Sequence, residues 1–195
     1  ATELRKQWSL DAVDRAVANR LSVLARRPVS PEAAGLVRVR VLSLKKTLPP
    51  VVVASVIRTF CNAWTTTGRF SGLTLACPFA CGTESGDRWS HFPGCGAIRV
   101  MWAAVCPSSH PLVLDMSLET ALLLAPGLPN EVVLQVALWA DVVGHCANDI
   151  RLQGISPAQV RRGSGSMFVA RLRQLSVQSD ATRAVISSIR VSSLA

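Results

Sequence analysis

The sequence predicts an all-α fold, in which a helical domain is interrupted by a small irregular module and followed by a basic helical tail. Apolar residues recur at spacings of three and four in several segments, which is the pattern of one helix face. Prolines and glycines fall between these segments, where they end helices and open loops. Hydrophobic residues make up 49% of the 195 residues, so the chain can pack a core and wholesale disorder is excluded.

The N-terminal third is predicted to contain three helices. The first spans residues 10–24, where one apolar stripe is formed by Leu10, Val13, Val17, Leu21 and Leu24. Prolines end this segment, and Ser30 is placed to cap a second helix over residues 32–46, although alternating valines there also fit a strand. A third helix with a single charge is expected over residues 51–64, directly after two prolines that suit a first helical turn.

The C-terminal half is predicted to contain one long helix and several short ones. A short helix is expected over residues 97–105. The clearest helix covers residues 131–150, with an apolar face made of Val132, Val136, Trp139 and Val143. In the tail, we expect two short amphipathic stretches, over residues 168–177 and 181–191. A Gly-Ser-Gly-Ser sequence at residues 163–166 predicts a hinge before them.

Charge divides the chain into unlike regions. The first 70 residues carry a net charge of +8, the next 80 carry −5 and the last 45 carry +6, for a total of +9. We therefore expect a basic N-terminal helix at residues 1–30, a helical domain at 31–155 and a basic helical tail at 156–195. The irregular module, at residues 77–95, lies within the middle part.

A basic chain favours an anionic partner, and nucleic acid is the partner that we expect. Phosphate contacts should come from the basic flanks, where the candidate residues are Arg26, Arg27, Arg38, Arg40, Arg161 and Arg162. The alternative is that these arginines only form the solvated faces of amphipathic helices.

Cysteine and histidine are concentrated in the irregular module, in the pattern Cys77-x3-Cys81-x9-His91-x3-Cys95. Zinc takes four such ligands in a tetrahedron, so this spacing predicts a structural zinc site. Asp87, four residues before the histidine, is expected to cap its turn or to accept its free ring N–H.

Other roles for the cysteines remain open. Cys106 or His110 could replace one of the proposed ligands. A disulfide framework is the rival explanation, which the lack of a secretory signal disfavours, and the cysteines could also be free and buried. We expect Cys61 and Cys146 to be core residues of helices, and His145 to lie on a helix surface or in the core.

The order of these motifs resembles a known family. A sequence Asn-Ala-Trp-Thr-Thr-Thr-Gly-Arg-Phe at residues 62–70 precedes the four candidate ligands, and a helix follows them. Over about residues 35–151 the chain is similar to the region after the reverse transcriptase domain of non-LTR (LINE-type) retrotransposons of some protists. The first spacing, x3, and Pro93-Gly94 depart from the usual knuckle of that family.

The resemblance implies a zinc knuckle that helps the chain to bind its RNA or target DNA. It makes zinc ligands of the two cysteines, the histidine and the cysteine of that motif, which are Cys77, Cys81, His91 and Cys95. Arg69 and Phe70 match the turn before the knuckle, where contact with nucleic acid and packing on the knuckle are equally consistent.

No motif of enzymatic chemistry is present in the sequence. The segment Trp139-Ala140-Asp141-Val142 is similar to the Ala-Asp-Asp box of reverse transcriptases, but a valine replaces the second aspartate. A Walker loop, a Gly-x-Ser-x-Gly elbow and a His-Glu-x-x-His motif are all missing. We therefore expect a non-catalytic module that binds nucleic acid. The alternative is an assembly protein with a zinc staple, which would dock on a protein or ribonucleoprotein partner through helix faces such as that of residues 131–150.

The sequence also indicates where the protein works. The most apolar stretch, residues 118–143, is interrupted by prolines and acidic residues, so we expect no membrane span. The N-terminus lacks the apolar segment of a signal peptide, so we expect no signal peptide there. It also lacks an initiator Met, so we expect a fragment or a processed chain. An intracellular location is expected, with the nucleus as one option.

Overall fold

A computed structural model describes residues 9–61, 63–64, 66, 75–84 and 86–191 of the chain. All regular secondary structure in these ranges is helical, which confirms the all-α prediction. The α-helices are α1 (Leu10–Ala25), α2 (Pro31–Leu44), α3 (Pro50–Phe60), α4 (Gly96–Val105), α5 (Pro111–Leu114), α6 (Leu118–Ala121), α7 (Asn130–Leu152), α8 (Pro157–Ser176) and α9 (Asp180–Ser188). A 3₁₀ helix, η1, covers Trp89–Gly94.

Serine caps explain where several helices begin. A side-chain oxygen accepts a backbone N–H in the first turn at Ser9, Ser30, Ser117, Ser156 and Ser179. The alternating valines of α2 do not form a strand, because the cap and the proline after it start a helix. Val37 and Val41, one turn apart, are buried, whereas Val39 is exposed. The helix prediction for this segment is therefore confirmed.

The predicted hinge at residues 163–166 is wrong. Residues Pro157–Ser176 form one uninterrupted helix, α8, which runs through the Gly-Ser-Gly-Ser sequence. A capping box between Ser156 and Gln159 starts this helix, and tertiary packing continues it. Ser164 is buried, and its hydroxyl contacts the sulfur of Met101 on α4. Contacts that α8 makes with α4 therefore override the low helix propensity of the small residues.

The central element of the core is α7, which packs against α2, α3 and α8. Of its 23 residues, 15 are buried, so this helix is covered on most sides. The apolar face offered as a docking surface is in the interior and fully covered, at Val132, Val136, Trp139 and Val143. That part of the alternative prediction is wrong, because the face is occupied by the protein's own helices.

A buried ion pair ties three helices together. Asp141 of α7 has no solvent exposure, and its carboxylate accepts hydrogen bonds from Nε of Arg171 on α8 at 2.7 Å and from the hydroxyl of Ser55 on α3 at 2.6 Å. The aspartate is thus a structural partner at the junction of α3, α7 and α8. Removing one partner of such a pair strongly destabilises a protein, because the other charge would stay buried without compensation.

Among the described residues, no helix has the length and apolarity needed to cross a bilayer.

Candidate metal centre

The four residues of the Cys-Cys-His-Cys pattern lie close together. Their ligand atoms, from Cys77, Cys81, His91 and Cys95, are all within 4.8 Å of one another. The sulfurs of Cys77 and Cys95 are 3.8 Å apart, and the sulfur of Cys81 is 3.3 Å from Nε2 of the histidine. Two thiolates on a tetrahedral zinc with bonds of about 2.3 Å would be about 3.8 Å apart. The geometry is therefore compatible with a metal site.

A tight turn positions the first two cysteines. The amide of Cys77 donates to the carbonyl of Thr83 at 3.0 Å, and that of Ala80 donates to the carbonyl of Cys77 at 3.0 Å. Ala80 and Gly82 adopt the left-handed backbone, with φ of 54° and 87°. These two residues flank Cys81, and they reverse the chain around it. The spacing of three residues between the cysteines is thereby accommodated.

The second pair of ligands comes from η1 and the start of α4. His91 lies within η1, and its amide donates to the carbonyl of Arg88 at 3.1 Å. Pro93 is part of this 3₁₀ helix, so it shapes the segment between His91 and Cys95 rather than disrupting it. Cys95 is the residue directly before α4, and Trp89 and Phe92 anchor η1 in the core.

Gly86 is a site residue that the sequence analysis did not identify. A Cβ placed on it would lie 2.6 Å from Cβ of Cys77 and 3.1 Å from Cδ2 of His91. No side chain fits at those distances, so the close approach of the two ligands depends on this glycine. Its position within the cysteine-rich loop was the only signal in the sequence.

Electrostatics favour a thiolate at Cys95. A hydrogen bond from the thiol of Cys77 lowers the pKa of Cys95 to about 5, with help from the backbone N–H of Ile98 at the start of α4 and from His91, against the opposing effect of burial. The same hydrogen bond to Cys95, together with burial, raises the pKa of Cys77. The lowered pKa of Cys95 favours its thiolate form, which is the form that binds a metal cation.

The segment that supplies the four candidate ligands, residues 77–95, is called the metal loop, and Asp87 ties it to the core. This buried carboxylate accepts hydrogen bonds from Nε of Arg151, at the end of α7, at 3.0 and 3.1 Å. The sequence predicts that Asp87 caps the turn of His91 or accepts its free ring N–H. In the structure, its carboxylate forms an ion pair with Arg151, which links the loop to α7. The stacked rings of Trp89 and Trp64, 5.8 Å apart, form a second link between η1 and the segment after α3.

The remaining cysteines and histidines lie apart from this cluster. In the part of the chain that the structure describes, the metal-compatible group holds neither Cys106 nor His110. Cys106 is buried, which raises its pKa to about 12, and Nδ1 of His110 caps α5 by accepting the amide of Leu112. All six cysteines are free, so no disulfide framework is present.

Two cysteine predictions have opposite outcomes. Cys146 is buried in α7, as expected. The core prediction for Cys61 is wrong, because α3 ends at Phe60 and Cys61 follows it as an exposed cap residue. His145 is half-buried and its Nδ1 lies 3.3 Å from the buried carboxylate of Asp141.

Three of the arginines predicted to contact phosphates have partners within the protein. Nη2 of Arg27 lies 2.6 Å from Glu119, and Nε of Arg38 lies 2.7 Å from Asp14. The prediction for Arg40 is wrong. Its guanidinium is buried and donates to the backbone carbonyls of Leu123 and Ala125, in the turn after α6. It is a structural donor there, because carbonyls in a buried turn need partners.

The other predicted arginines differ in placement. Arg26, Arg161 and Arg162 are exposed, and among the described residues none of the three forms an ion pair. Arg26 follows α1, and the other two lie in the first turns of α8. Arg69 lies outside the described residues.

No protein-family model, curated protein or solved structure matches the chain. The resemblance to the retrotransposon region therefore depends on the sequence motif alone. What the site can do chemically follows from its donor set of three sulfurs and one imidazole nitrogen.

Proposed function

We propose that this chain is a zinc-stabilised helical module that binds nucleic acid and has no catalytic activity. The observation that carries the proposal is the cluster of three thiols and one imidazole, with all ligand atoms within 4.8 Å of one another. Sulfur and imidazole nitrogen are the donors of structural zinc sites, whereas Mg²⁺ and Ca²⁺ take oxygen ligands.

Each ligand has a definite task in such a site. Cys77 and Cys81 would supply thiolates from the turn, while His91 and Cys95 would supply Nε2 and a third thiolate from the second half of the loop. Four protein ligands fill a tetrahedral shell, so no position is left for a reactive water. Bound zinc would therefore stabilise a loop that is too rich in glycine and proline to pack a core of its own.

Nucleic acid is the partner that charge favours. The chain has a net charge of +9, and Arg26, Arg161 and Arg162 expose their side chains. Arginine guanidinium groups bind phosphate oxygens through two parallel hydrogen bonds. The resemblance to the LINE-type region supports the same partner and leaves RNA and DNA as equal candidates.

The zinc part is tested by metal analysis of the purified protein. We expect one zinc per chain in the wild type, and loss of that zinc and of helical circular dichroism in His91→Ala and Cys81→Ser. Cys61→Ser is the matched control, since Cys61 is exposed and lies outside the cluster. Absence of zinc from the wild type, or its retention by both ligand variants, would overturn the zinc proposal.

The nucleic-acid part is tested by the salt dependence of binding. A labelled single-stranded RNA and a labelled duplex DNA are titrated with the zinc-loaded protein between 50 and 200 mM salt. If three phosphates are contacted, affinity should fall about 20-fold for single strands and about 40-fold for duplex DNA across this range. Affinity that does not change with salt, or no binding at 50 mM, would contradict the proposal.

An apolar groove between the first three helices favours a second candidate, an assembly protein with a zinc staple. The groove has a volume of about 460 Å³, and its walls are mainly apolar residues of α1, α2 and α3, including Val13, Val17, Val41, Ile57 and Phe60. Apolar grooves of this kind accept helices of partner proteins. Light scattering of the pure chain separates the candidates, because a monodisperse monomer speaks against an obligate partner.

A further inference from the structure

We propose that a cleft between the end of α1 and the metal loop is the site at which this chain holds a phosphate group of nucleic acid; the inference rests on the proposed function and names its contact point. The cleft has a volume of about 280 Å³, and its lining residues are Arg26, Thr83, Arg88, Ser90, His91 and Leu118.

The lining is chemically suited to an anion. Two guanidinium groups and two hydroxyls supply hydrogen-bond donors, and no carboxylate is among the lining residues. Glu119, the residue after Leu118, lies outside the lining and its charge is compensated by Arg27 at 2.6 Å. Arginine paired with hydroxyl donors is the combination that binds phosphate oxygens at fixed geometry.

The backbone of Arg26 supports a role beyond helix capping. This residue has φ of 55° and ψ of 31°, the left-handed conformation, at the C-cap of α1. Glycine is the usual residue at such a cap, because any side chain is disfavoured there. A cation at the C-terminal end of a helix gains some stabilisation from the helix dipole, and this is the alternative explanation for an arginine. The two explanations predict different results when Arg26 is replaced by glycine.

The cleft is joined to the metal cluster. Thr83, Arg88 and Ser90 all belong to the metal loop, and His91 lines the cleft as well as the cluster. Ordering of the loop by metal would fix most of the anion donors. We therefore expect phosphate binding at the cleft to require the metal.

The proposed ligand is a phosphate group of a nucleic acid, and such a group can occupy two positions in the strand. An internal phosphodiester and a terminal 5′-phosphate offer the same oxygens, and the cleft chemistry fits both. The experiment therefore compares two fluorescein-labelled 12-nucleotide oligouridines that differ only in a 5′-phosphate. Binding to the zinc-loaded protein is measured by fluorescence anisotropy at about 100 mM salt.

The chain offers a matched pair of variants. Arg190 is also exposed, also has a left-handed backbone with φ of 47°, and lies after α9. Arg26→Gly and Arg190→Gly each remove one positive charge and one disfavoured conformation. Both should keep or raise the melting temperature, since glycine suits these positions. We expect Arg26→Gly to weaken RNA binding about tenfold or more, and Arg190→Gly to change it by less than about threefold.

Arg88→Gln is a second test of the cleft, and we expect it to weaken RNA binding about as much as Arg26→Gly does. An effect of Arg26→Gly on both oligonucleotides supports a phosphodiester, and an effect confined to the 5′-phosphorylated one supports a terminal phosphate. Equal effects of Arg26→Gly and Arg190→Gly would overturn the inference and leave the proposed function standing. A wild-type protein that binds neither RNA nor duplex DNA, even at 50 mM salt, would overturn the proposed function itself.

Discussion

Replacing Gly86 by alanine tests the geometry of the metal centre with one methyl group. The added Cβ would lie 2.6 Å from Cβ of Cys77, 3.1 Å from its Cα and 3.1 Å from Cδ2 of His91. Ordinary carbon contacts are about 3.5–4.0 Å, so the first cysteine must move by about 1 Å. The backbone of the turn cannot move without a large cost in free energy, and neither could a side chain that bound the proposed metal. We therefore expect the substitution to damage the metal site itself.

The expected magnitude follows from the tolerance of metal coordination. Ligand distances in zinc sites hold within about 0.2 Å, which is much less than the displacement that the methyl group demands. Disturbing residues that merely support metal ligands costs about 10–100-fold in affinity. Because Gly86→Ala displaces a ligand directly, we expect at least about 100-fold weaker zinc binding, which corresponds to about 2.7 kcal/mol.

The measurement is zinc affinity by competition with a chromophoric chelator, for wild type, Gly86→Ala and Gly94→Ala. Gly94 is the matched control, because it belongs to the same loop, adjoins Cys95 and has open space within 4 Å of an added Cβ. The control should bind zinc within about threefold of wild type. Zinc affinity of Gly86→Ala equal to that of the control would refute the proposed packing of the two ligands around this glycine.

Three further predictions concern the helical core. Gly144→Ala should lower the free energy of unfolding by about 1–3 kcal/mol in urea denaturation, because the new Cβ would lie 2.3–2.6 Å from ring atoms of Trp64. Arg171→Met should cost about 3–5 kcal/mol in the same assay, since the buried charge of Asp141 loses its partner; wild-type stability would contradict this. A hydrogen bond from an arginine of α2 lowers the pKa of Asp14 from its usual 3.8, so this ion pair stabilises the fold above that pH and the stabilisation is lost as pH falls through the lowered pKa. Asp14→Asn should therefore flatten the acid limb of the urea midpoint plotted against pH.

The sequence was most informative where the physical cause is local. The helix over residues 10–24 and the long helix over residues 131–150 were predicted within two residues, because their apolar periodicity lies within the segments themselves. The clustering of the Cys-Cys-His-Cys side chains was predicted for the same reason, since all four residues fall within 77–95. Short-range sequence patterns were therefore enough to predict both the fold class and the position of the candidate site.

Features that depend on distant partners could not be predicted. The role of Arg40 is decided by carbonyls more than 80 residues away in sequence, and no spacing rule points to them. The Gly-Ser-Gly-Ser sequence of α8 has low helix propensity, and only the buried contact of Ser164 with α4 explains its helix. Gly86 is defined by two side chains that reach it through folding, so its importance is visible only in three dimensions.

The metal loop and the helices share one core, and this determines what metal binding can stabilise. Phe79 of the loop contacts Phe168 of α8 edge to face at 6.0 Å, and Trp89 of η1 contacts Trp139 of α7 at 5.7 Å. Asp87 adds an ion pair to the end of α7. Because these side chains pack on α7 and α8, the loop cannot unfold without exposing apolar surface of those helices. The free energy of zinc binding would therefore stabilise the helical domain as a whole, in addition to the loop that supplies the ligands.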